Sequence, residues 1–223
     1  MQENEKERIE ALEQALAQML KPVKNIPFSV IVKSLADCRI IPVDKADTAD
    51  QELLKRLQVS IQLCAAELNA EPIKRPRPNE VGNDIEPYVI RALLKAGLRA
   101  ERPRSRGGAG KSTGYPDILA LDSRNRATYI ECKTFAYGTP FSTMRSFYLS
   151  PSESFKVSVD ARHLLLAFGV EATPMTGTRE SLYRPKSYKL IDLHDLLCDV
   201  KFEFNSDNRR LYSPGMTLLE GIF

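Results

Sequence analysis

Two apolar segments separated by a short polar turn are the feature that most restricts how this chain can fold. Residues 117–121 and 127–135 are rich in β-prone side chains, and residues 122–126 between them are polar. Runs of this kind joined by a short turn are typical of a β-hairpin. The pattern therefore predicts two adjacent antiparallel strands within a sheet.

Charged side chains lie inside these apolar segments. Asp117 follows Pro116, and Glu131 comes fourteen positions after Asp117 and two before Lys133. Since side chains alternate across a strand, Glu131 and Lys133 share one face, and hairpin pairing brings Asp117 close to Glu131. Two carboxylates that converge near a backbone carbonyl suit Mg²⁺, which prefers oxygen ligands and keeps several waters.

These residue types are the equipment for hydrolysing a phosphodiester bond with a metal-activated water. Asp117 and Glu131 would hold the metal ion, and Lys133 would hydrogen-bond the attacking water or a phosphate oxygen. A purely structural alternative is that Asp117 caps a strand while Glu131 and Lys133 form a surface ion pair. The apolar residues around the carboxylates favour the functional interpretation, because exposed charges are unusual in such surroundings.

An N-terminal helical region, residues 1–72, precedes the hairpin. Apolar side chains recur at three- and four-residue steps over residues 4–20 and 49–68, which predicts two helices. They would pack either on the core or on a second subunit, and the pattern leaves both open. Residues 73–223 then form the core, and the two regions together are expected to make one compact unit.

A further helix is predicted just before the hairpin. Pro87 suits a first helical turn and Gly97 suits a helix end, so we expect a helix over residues 87–96. Glu86 stands at its N-terminal end and is a further candidate catalytic carboxylate.

Other segments give weaker patterns. Residues 150–153 match a capping box and predict a helix through residue 160. The apolar run 163–170 is typical of a central strand. Residues 28–32 are β-prone, although a helix is possible there.

Composition excludes several classes of protein. Hydrophobic residues make up 43% of the 223-residue chain, yet no run approaches the roughly 20 apolar residues of a membrane span. The four cysteines are widely spaced and form no CxxC pair, so a zinc site is not expected. A reducing cytoplasm fits this chain better than secretion.

The net charge is only +3, but its distribution is uneven. The first 20 residues are predominantly acidic, whereas residues 74–106 are strongly basic, which suits one face that binds a polyanion. A solvated charged surface is the alternative. Candidate contacts to such a polyanion, DNA among them, are the basic residues Lys74, Arg75, Arg77, Arg102, Arg104, Arg106 and Lys111, and also Thr139, Ser142, Arg145 and Ser146, which directly follow the strand of Glu131 and Lys133.

The glycine-rich segment 107–112 resembles the end of a phosphate-binding P-loop. The first glycine of that motif would fall at position 105, which is Ser105, and residues 113–116 read as a turn rather than a helix. We therefore expect no nucleotide cofactor. A flexible basic loop that touches backbone phosphates is the better interpretation.

The motif Pro116-Asp117 with Glu131-Cys132-Lys133, in the order helix, strand, hairpin, strand, helix and strand, resembles the PD-(D/E)XK nuclease superfamily over about residues 83–170. The resemblance implies an α/β fold with a restriction-endonuclease-like core, a mixed central β-sheet flanked by helices. It also implies that Asp117 and Glu131 are metal ligands and Lys133 the catalytic lysine. Glu86 would match the acidic residue often found on the first core helix.

Size and layout most resemble a type II restriction endonuclease, which implies double-stranded DNA as the substrate, Mg²⁺ as the cofactor and a homodimer that cuts both strands. A repair or recombination nuclease of the same fold is the first alternative. A catalytically dead DNA-binding module is the second, and the intact motif argues against it.

Overall fold

The structure is a computed structural model that describes residues 2–77, 80–105, 114–138, 147, 149–151, 155–202, 206–211 and 215–216. Its helices span Gln2–Met19 (α1), Phe28–Ala36 (α2), Thr48–Ala70 (α3), Val81–Lys95 (α4) and Asn208–Leu211 (α5). Its strands span Ile26–Pro27 (β1), Ile73–Arg75 (β2), Arg99–Glu101 (β3), Ile118–Leu121 (β4), Ala127–Ala136 (β5), Arg162–Pro174 (β6), Ser181–Asp192 (β7) and Leu197–Cys198 (β8). Within these described ranges, none of the helices is long and apolar enough to cross a membrane.

The chain divides into two units. The smaller contains Met1–Ile26 with Cys198–Phe223, and the larger contains Pro27–Leu197. In the smaller unit, the Val200 amide donates a hydrogen bond of 2.9 Å to the carbonyl of Val23. The functional division expected from the sequence, residues 1–72 and 73–223, stays a prediction.

A six-stranded sheet organises the larger unit, with the strand order β2-β7-β6-β5-β4-β3. β5 and β6 are parallel, and the other neighbours are antiparallel. Apolar side chains of α3 and α4 pack with one face of the sheet to form the main core. The predicted α/β fold with a mixed sheet flanked by helices is therefore confirmed.

The predicted hairpin is present in the structure. β4 pairs antiparallel with β5, and Ile118 lies opposite Ile130. Ile130 and Cys132 belong to the core shared with α3 and α4, so Glu131 and Lys133 lie on the opposite face of β5.

The helix before the hairpin begins earlier than the sequence predicted. α4 starts at Val81, which places Pro87 in its interior and Glu86 in its second turn. Val81 and Ile85 are completely buried, so packing of the added turn sets the start of this helix. Gly97, with a φ of 81°, lies just beyond the end of α4, as predicted.

Two weaker predictions differ from the structure. The β-prone residues 28–32 lie in α2, where Phe28, Val32 and Ala36 recur at four-residue steps and are all buried. Residues 152–154 of the expected capping box lie outside the described residues, and 155–160 are not helical. Three successive residues from Phe155 are buried, which does not suit an amphipathic helix.

A buried ion network fixes the first turn of α3 to the sheet. Asp50, which is 1% exposed, accepts from Arg162 at 2.5 Å and from Arg126 at 2.8 Å. Arg126 also contacts Asp122 at 2.6 Å. One carboxylate thus joins α3 to the β4–β5 turn and to the start of β6.

We predict that Asp50→Asn lowers the free energy of unfolding by about 3–5 kcal/mol, because Arg162 then lacks its buried counter-charge. Burial opposes the ionised form of Asp50, but hydrogen bonds from the Asp44 amide and Arg162 prevail and lower its pKa. A lowered pKa stabilises the fold above the unfolded value of about 3.9, and this stabilisation is lost as the pH falls through the folded value. Urea titrations at several pH values measure both effects.

Glu52→Gln on the same helix is the matched control, since Glu52 forms an exposed pair with Arg56. Its effect should stay within about 1 kcal/mol. Equal losses in the two variants would contradict the assigned role of Asp50.

Candidate active site

Asp117 and Glu131 come together at the start of the hairpin. Asp117 directly precedes β4, and the register that pairs Ile118 with Ile130 brings it to the level of Glu131. Its Oδ2 accepts a hydrogen bond of 2.8 Å from the amide of Cys132. Asp117 is thus held by the backbone of the strand that carries the second carboxylate.

Glu131 is 4% exposed and has two different oxygen environments. Its Oε1 accepts from the Lys133 ammonium at 2.6 Å, whereas its buried Oε2 has no hydrogen-bond partner among the described residues. Burial and repulsion from Asp117 raise the pKa of Glu131 to about 7. Among the described residues, Oε2 of Glu131 therefore has no partner, and a bound cation would serve as one.

Lys133 is the charged partner of Glu131 and keeps about a third of its side chain exposed, at 32%. Burial alone would lower the pKa of Lys133, but attraction to Glu131 outweighs it and raises the pKa. The ammonium therefore stays protonated and accessible beside the two carboxylates.

Glu86 approaches the same place from α4. Its side chain is 12% exposed and lies 3.2 Å from the guanidinium of Arg102, which follows β3. Burial and repulsion from Asp117 raise the pKa of Glu86, whereas Arg102 and Lys156 act in the opposite direction. Glu86 and Asp117 are thus electrostatic neighbours, and a catalytic role of Glu86 stays a prediction.

Lys156 is a site residue that the sequence did not reveal. It is 5% exposed, and its ammonium donates hydrogen bonds to the carbonyls of Gly114 at 2.7 Å and Pro116 at 3.2 Å. Burial lowers its pKa, and Asp117 and Glu86 partly offset that effect. Lys156 thus fixes the turn that presents Asp117. The contact had no signal in the sequence, because a single lysine about 40 residues further along the chain belongs to no motif.

An aromatic cluster packs against the turn that precedes Asp117. The Tyr115 hydroxyl lies 2.6 Å from Nδ1 of His163, and both side chains are buried. Burial lowers the pKa of His163 to about 3, so its ring is neutral. Phe28 of α2 packs edge-on against Tyr115, which gives this helix a part in positioning Asp117.

The chemistry of the donor set fits a hard divalent cation. Asp117 and Glu131 supply carboxylate oxygens, and Glu131 Oε2 is buried without a partner in the described part of the chain. In that same part, no group of three or more His, Cys, Asp or Glu side chains is arranged to hold a metal ion. Mg²⁺ tolerates such a set, because one or two carboxylates and several waters suffice for it.

The candidate DNA contacts divide into three groups. Lys74 pairs with Glu180 at 2.8 Å, Arg75 pairs with Asp84, and Arg102 pairs with Glu86, so all three have acidic partners in this structure. Arg77 and Arg104 are exposed. Lying outside the described residues are Arg106, Lys111, Thr139, Ser142, Arg145, Ser146 and the whole glycine-rich segment 107–112.

Comparison with known proteins gives a consistent result. Residues 4–215 match the model of the type II restriction enzyme MjaV family. The chain is 36% identical over 232 aligned residues to the type II restriction enzyme MjaV of Methanocaldococcus jannaschii, and the alignment covers 97% of this chain and 98% of that protein. No solved structure gives a significant match.

We predict that the affinity of the DNA-free protein for Mn²⁺ rises with pH through about 7, measured by calorimetry between pH 6 and 8. Below the raised pKa of Glu131, a bound proton competes with the cation; above it, the carboxylate is free to bind. Glu131→Gln should weaken binding and remove this pH dependence.

Glu171→Gln is the control, because Glu171 is exposed, pairs with Lys186, and lies six residues along β6 from Leu165, the residue opposite Glu131. It should keep the pH dependence of the unmodified protein. An affinity that is equal at pH 6 and pH 8 would show that Glu131 is not a ligand.

Proposed function

The chain belongs to the type II restriction enzyme MjaV family, and from this we infer that it cuts double-stranded DNA at a specific sequence in a Mg²⁺-dependent reaction. Membership of this family makes it a type II site-specific deoxyribonuclease. The observation that carries the Mg²⁺ dependence is the carboxylate pair of Asp117 and Glu131, with one buried oxygen of Glu131 lacking a partner in the described residues. Membership also favours restriction over DNA repair.

In this proposal, each motif residue has one role. Asp117 and Glu131 hold the ion, and Mg²⁺ bound there would promote ionisation of a water and neutralise charge on the phosphate. Lys133 donates a hydrogen bond to the attacking water or to a phosphate oxygen, and Glu131 fixes its position at 2.6 Å. The buried surroundings strengthen these interactions relative to bulk water.

Glu86 is proposed as a further acidic catalytic residue that acts beside Asp117. DNA contacts are proposed for the basic residues near the site, above all Arg102, which lies 3.2 Å from Glu86. Arginine suits this role because its planar fork matches a phosphate group. We propose the same role for Lys74, Arg75, Arg77 and Arg104, and for Arg106, Lys111, Thr139, Ser142, Arg145 and Ser146 outside the described residues.

No nucleotide cofactor is part of the proposed reaction, since water is the only co-substrate that phosphodiester hydrolysis consumes. We also propose a cytoplasmic location, where thiols stay reduced. The buried thiols of Cys64 and Cys132, which are free in this structure, support it.

A homodimer is proposed because each subunit supplies one site for one strand of a symmetric target. The N-terminal region, residues 1–72, is proposed to supply packing or dimer contacts. In α1, Ile9, Leu12 and Leu16 recur at three- and four-residue steps and are at least 39% exposed. An apolar stripe of this kind suits a helix of a second subunit.

We predict that plasmid DNA gives discrete fragments in Mg²⁺ and stays intact in EDTA. Lys133→Ala should slow cleavage by about 100- to 1,000-fold, the usual effect of removing one donor to the transition state. Asp117→Asn with Glu131→Gln should abolish cleavage while DNA binding persists. Sequencing of the fragment ends measures the specificity.

Lys55→Ala is the matched control, since Lys55 is exposed on α3, away from the site. Cleavage by Lys133→Ala at the rate of the unmodified enzyme would contradict the mechanism. Cuts at damaged or branched DNA rather than at one sequence would point to a repair nuclease. Binding without any cleavage would point to a catalytically dead module.

For the dimer, we predict that Leu12→Glu with Leu16→Glu converts the protein to a monomer in light scattering, because the charges disrupt the apolar stripe. The exposed substitution Gln14→Glu on the same helix should leave the mass unchanged. A dimer that persists in the double variant would place the interface elsewhere.

A further inference from the structure

The ion pair between Arg102 and Glu86 has one fixed and one exposed member. Glu86 is 12% exposed on α4, whereas the side chain of Arg102 is 51% exposed and lies just after β3. The guanidinium of Arg102 lies 3.2 Å from the carboxylate of Glu86. Arg102 can therefore leave Glu86 without disturbing the core, whereas Glu86 stays in place.

Glu86 needs a cation close to it. Asp117 repels it, while Arg102 and Lys156 attract it. Lys156 is 5% exposed and is held by the carbonyls of Gly114 and Pro116, so it is fixed in position. Of these two cations, Arg102 is the one that is free to exchange.

Among the described residues of the site, the formal charges are balanced while Arg102 stays in place. Glu86, Asp117 and Glu131 are accompanied by Arg102, Lys133 and Lys156. A divalent cation that enters this site meets no net negative charge. When Arg102 leaves, three carboxylates face two lysines, so the site carries a net negative charge. Glu86 has then lost its ion-pair partner.

We propose that Arg102 is an exchangeable counter-cation, which neutralises Glu86 in the DNA-free enzyme and leaves it for a backbone phosphate when DNA binds, so that Glu86 becomes available to the divalent metal. This inference rests on the proposed function, since it takes duplex DNA and a divalent metal as ligands of this site. Metal binding and DNA binding are then coupled through one side chain. By linkage, each ligand strengthens the other by the same factor.

The first test is Mn²⁺ affinity of the DNA-free protein, measured by calorimetry, for Arg102→Gln. Without Arg102, Glu86 is already available, so binding should be at least about 5-fold tighter, the lower range of typical coupling between sites. Arg99→Gln is the matched control, because Arg99 lies on β3, three residues before Arg102, and pairs with the neutral Asn125. Its Mn²⁺ affinity should equal that of the unmodified protein.

A second variant separates this role from a general charge effect. In a Glu86→Gln background, Arg102→Gln should leave Mn²⁺ affinity unchanged, because its partner is absent. An equal gain in both backgrounds, or no gain in either, would overturn the proposal. Thermal unfolding checks that each variant is folded.

DNA binding in EDTA gives an independent measurement. Arg102→Gln should weaken binding to duplex DNA and reduce the slope of log affinity against log salt by about 1, as expected for one lost phosphate contact. Arg102→Lys keeps the charge, so its Mn²⁺ affinity should stay near that of the unmodified protein. An unchanged salt slope in Arg102→Gln would refute the transfer of Arg102 to phosphate.

The two proposals fail in different ways. If the chain is not a Mg²⁺-dependent nuclease, the unmodified protein leaves plasmid DNA intact. If only the exchange of Arg102 is wrong, the unmodified protein cleaves normally and Arg102→Gln binds Mn²⁺ no more tightly than Arg99→Gln.

Discussion

Repulsion between two carboxylates in a water-poor setting is the constraint on which the site depends. Asp117 and Glu131 are adjacent, and Glu131 is almost completely buried. Such a pair is costly unless cations or donors compensate it. The compensation comes from the Cys132 amide on Asp117 and from Lys133 on Glu131. The remaining deficit is what the proposed divalent cation would offset.

Contacts on both faces of the sheet hold Asp117 and Glu131 together despite their repulsion. On one side, α3 and α4 bury the alternate residues of β5, and Asp50 ties α3 to the sheet through Arg162. On the other side, Tyr115 and His163 support the turn that carries Asp117. Packing and ion pairs around the site thus offset the free-energy cost of repulsion between its two carboxylates.

Local patterns in the sequence were enough to predict the hairpin and the meeting of Asp117 with Glu131. Strand alternation and a five-residue turn are local signals, and together they define the register. The pairing of Glu86 with Arg102 and the contact of Lys156 with Pro116 are tertiary and have no local signal. The sequence did not clearly predict the helix over residues 28–36, because its β-branched side chains favour a strand. Its four-residue period is evident only from which side chains are buried in the structure.

The parallel pairing of β5 with β6 limits how relatives of this protein can diverge. Parallel neighbours require a crossover, so residues 137–161 must return the chain from the end of β5 to the start of β6. That crossover contains Lys156, which anchors the turn before Asp117. Insertions and exchanges are not tolerable around Phe155–Val157, where three successive side chains are buried. An engineer who grafts a loop into this connection must therefore leave Phe155–Val157 unchanged.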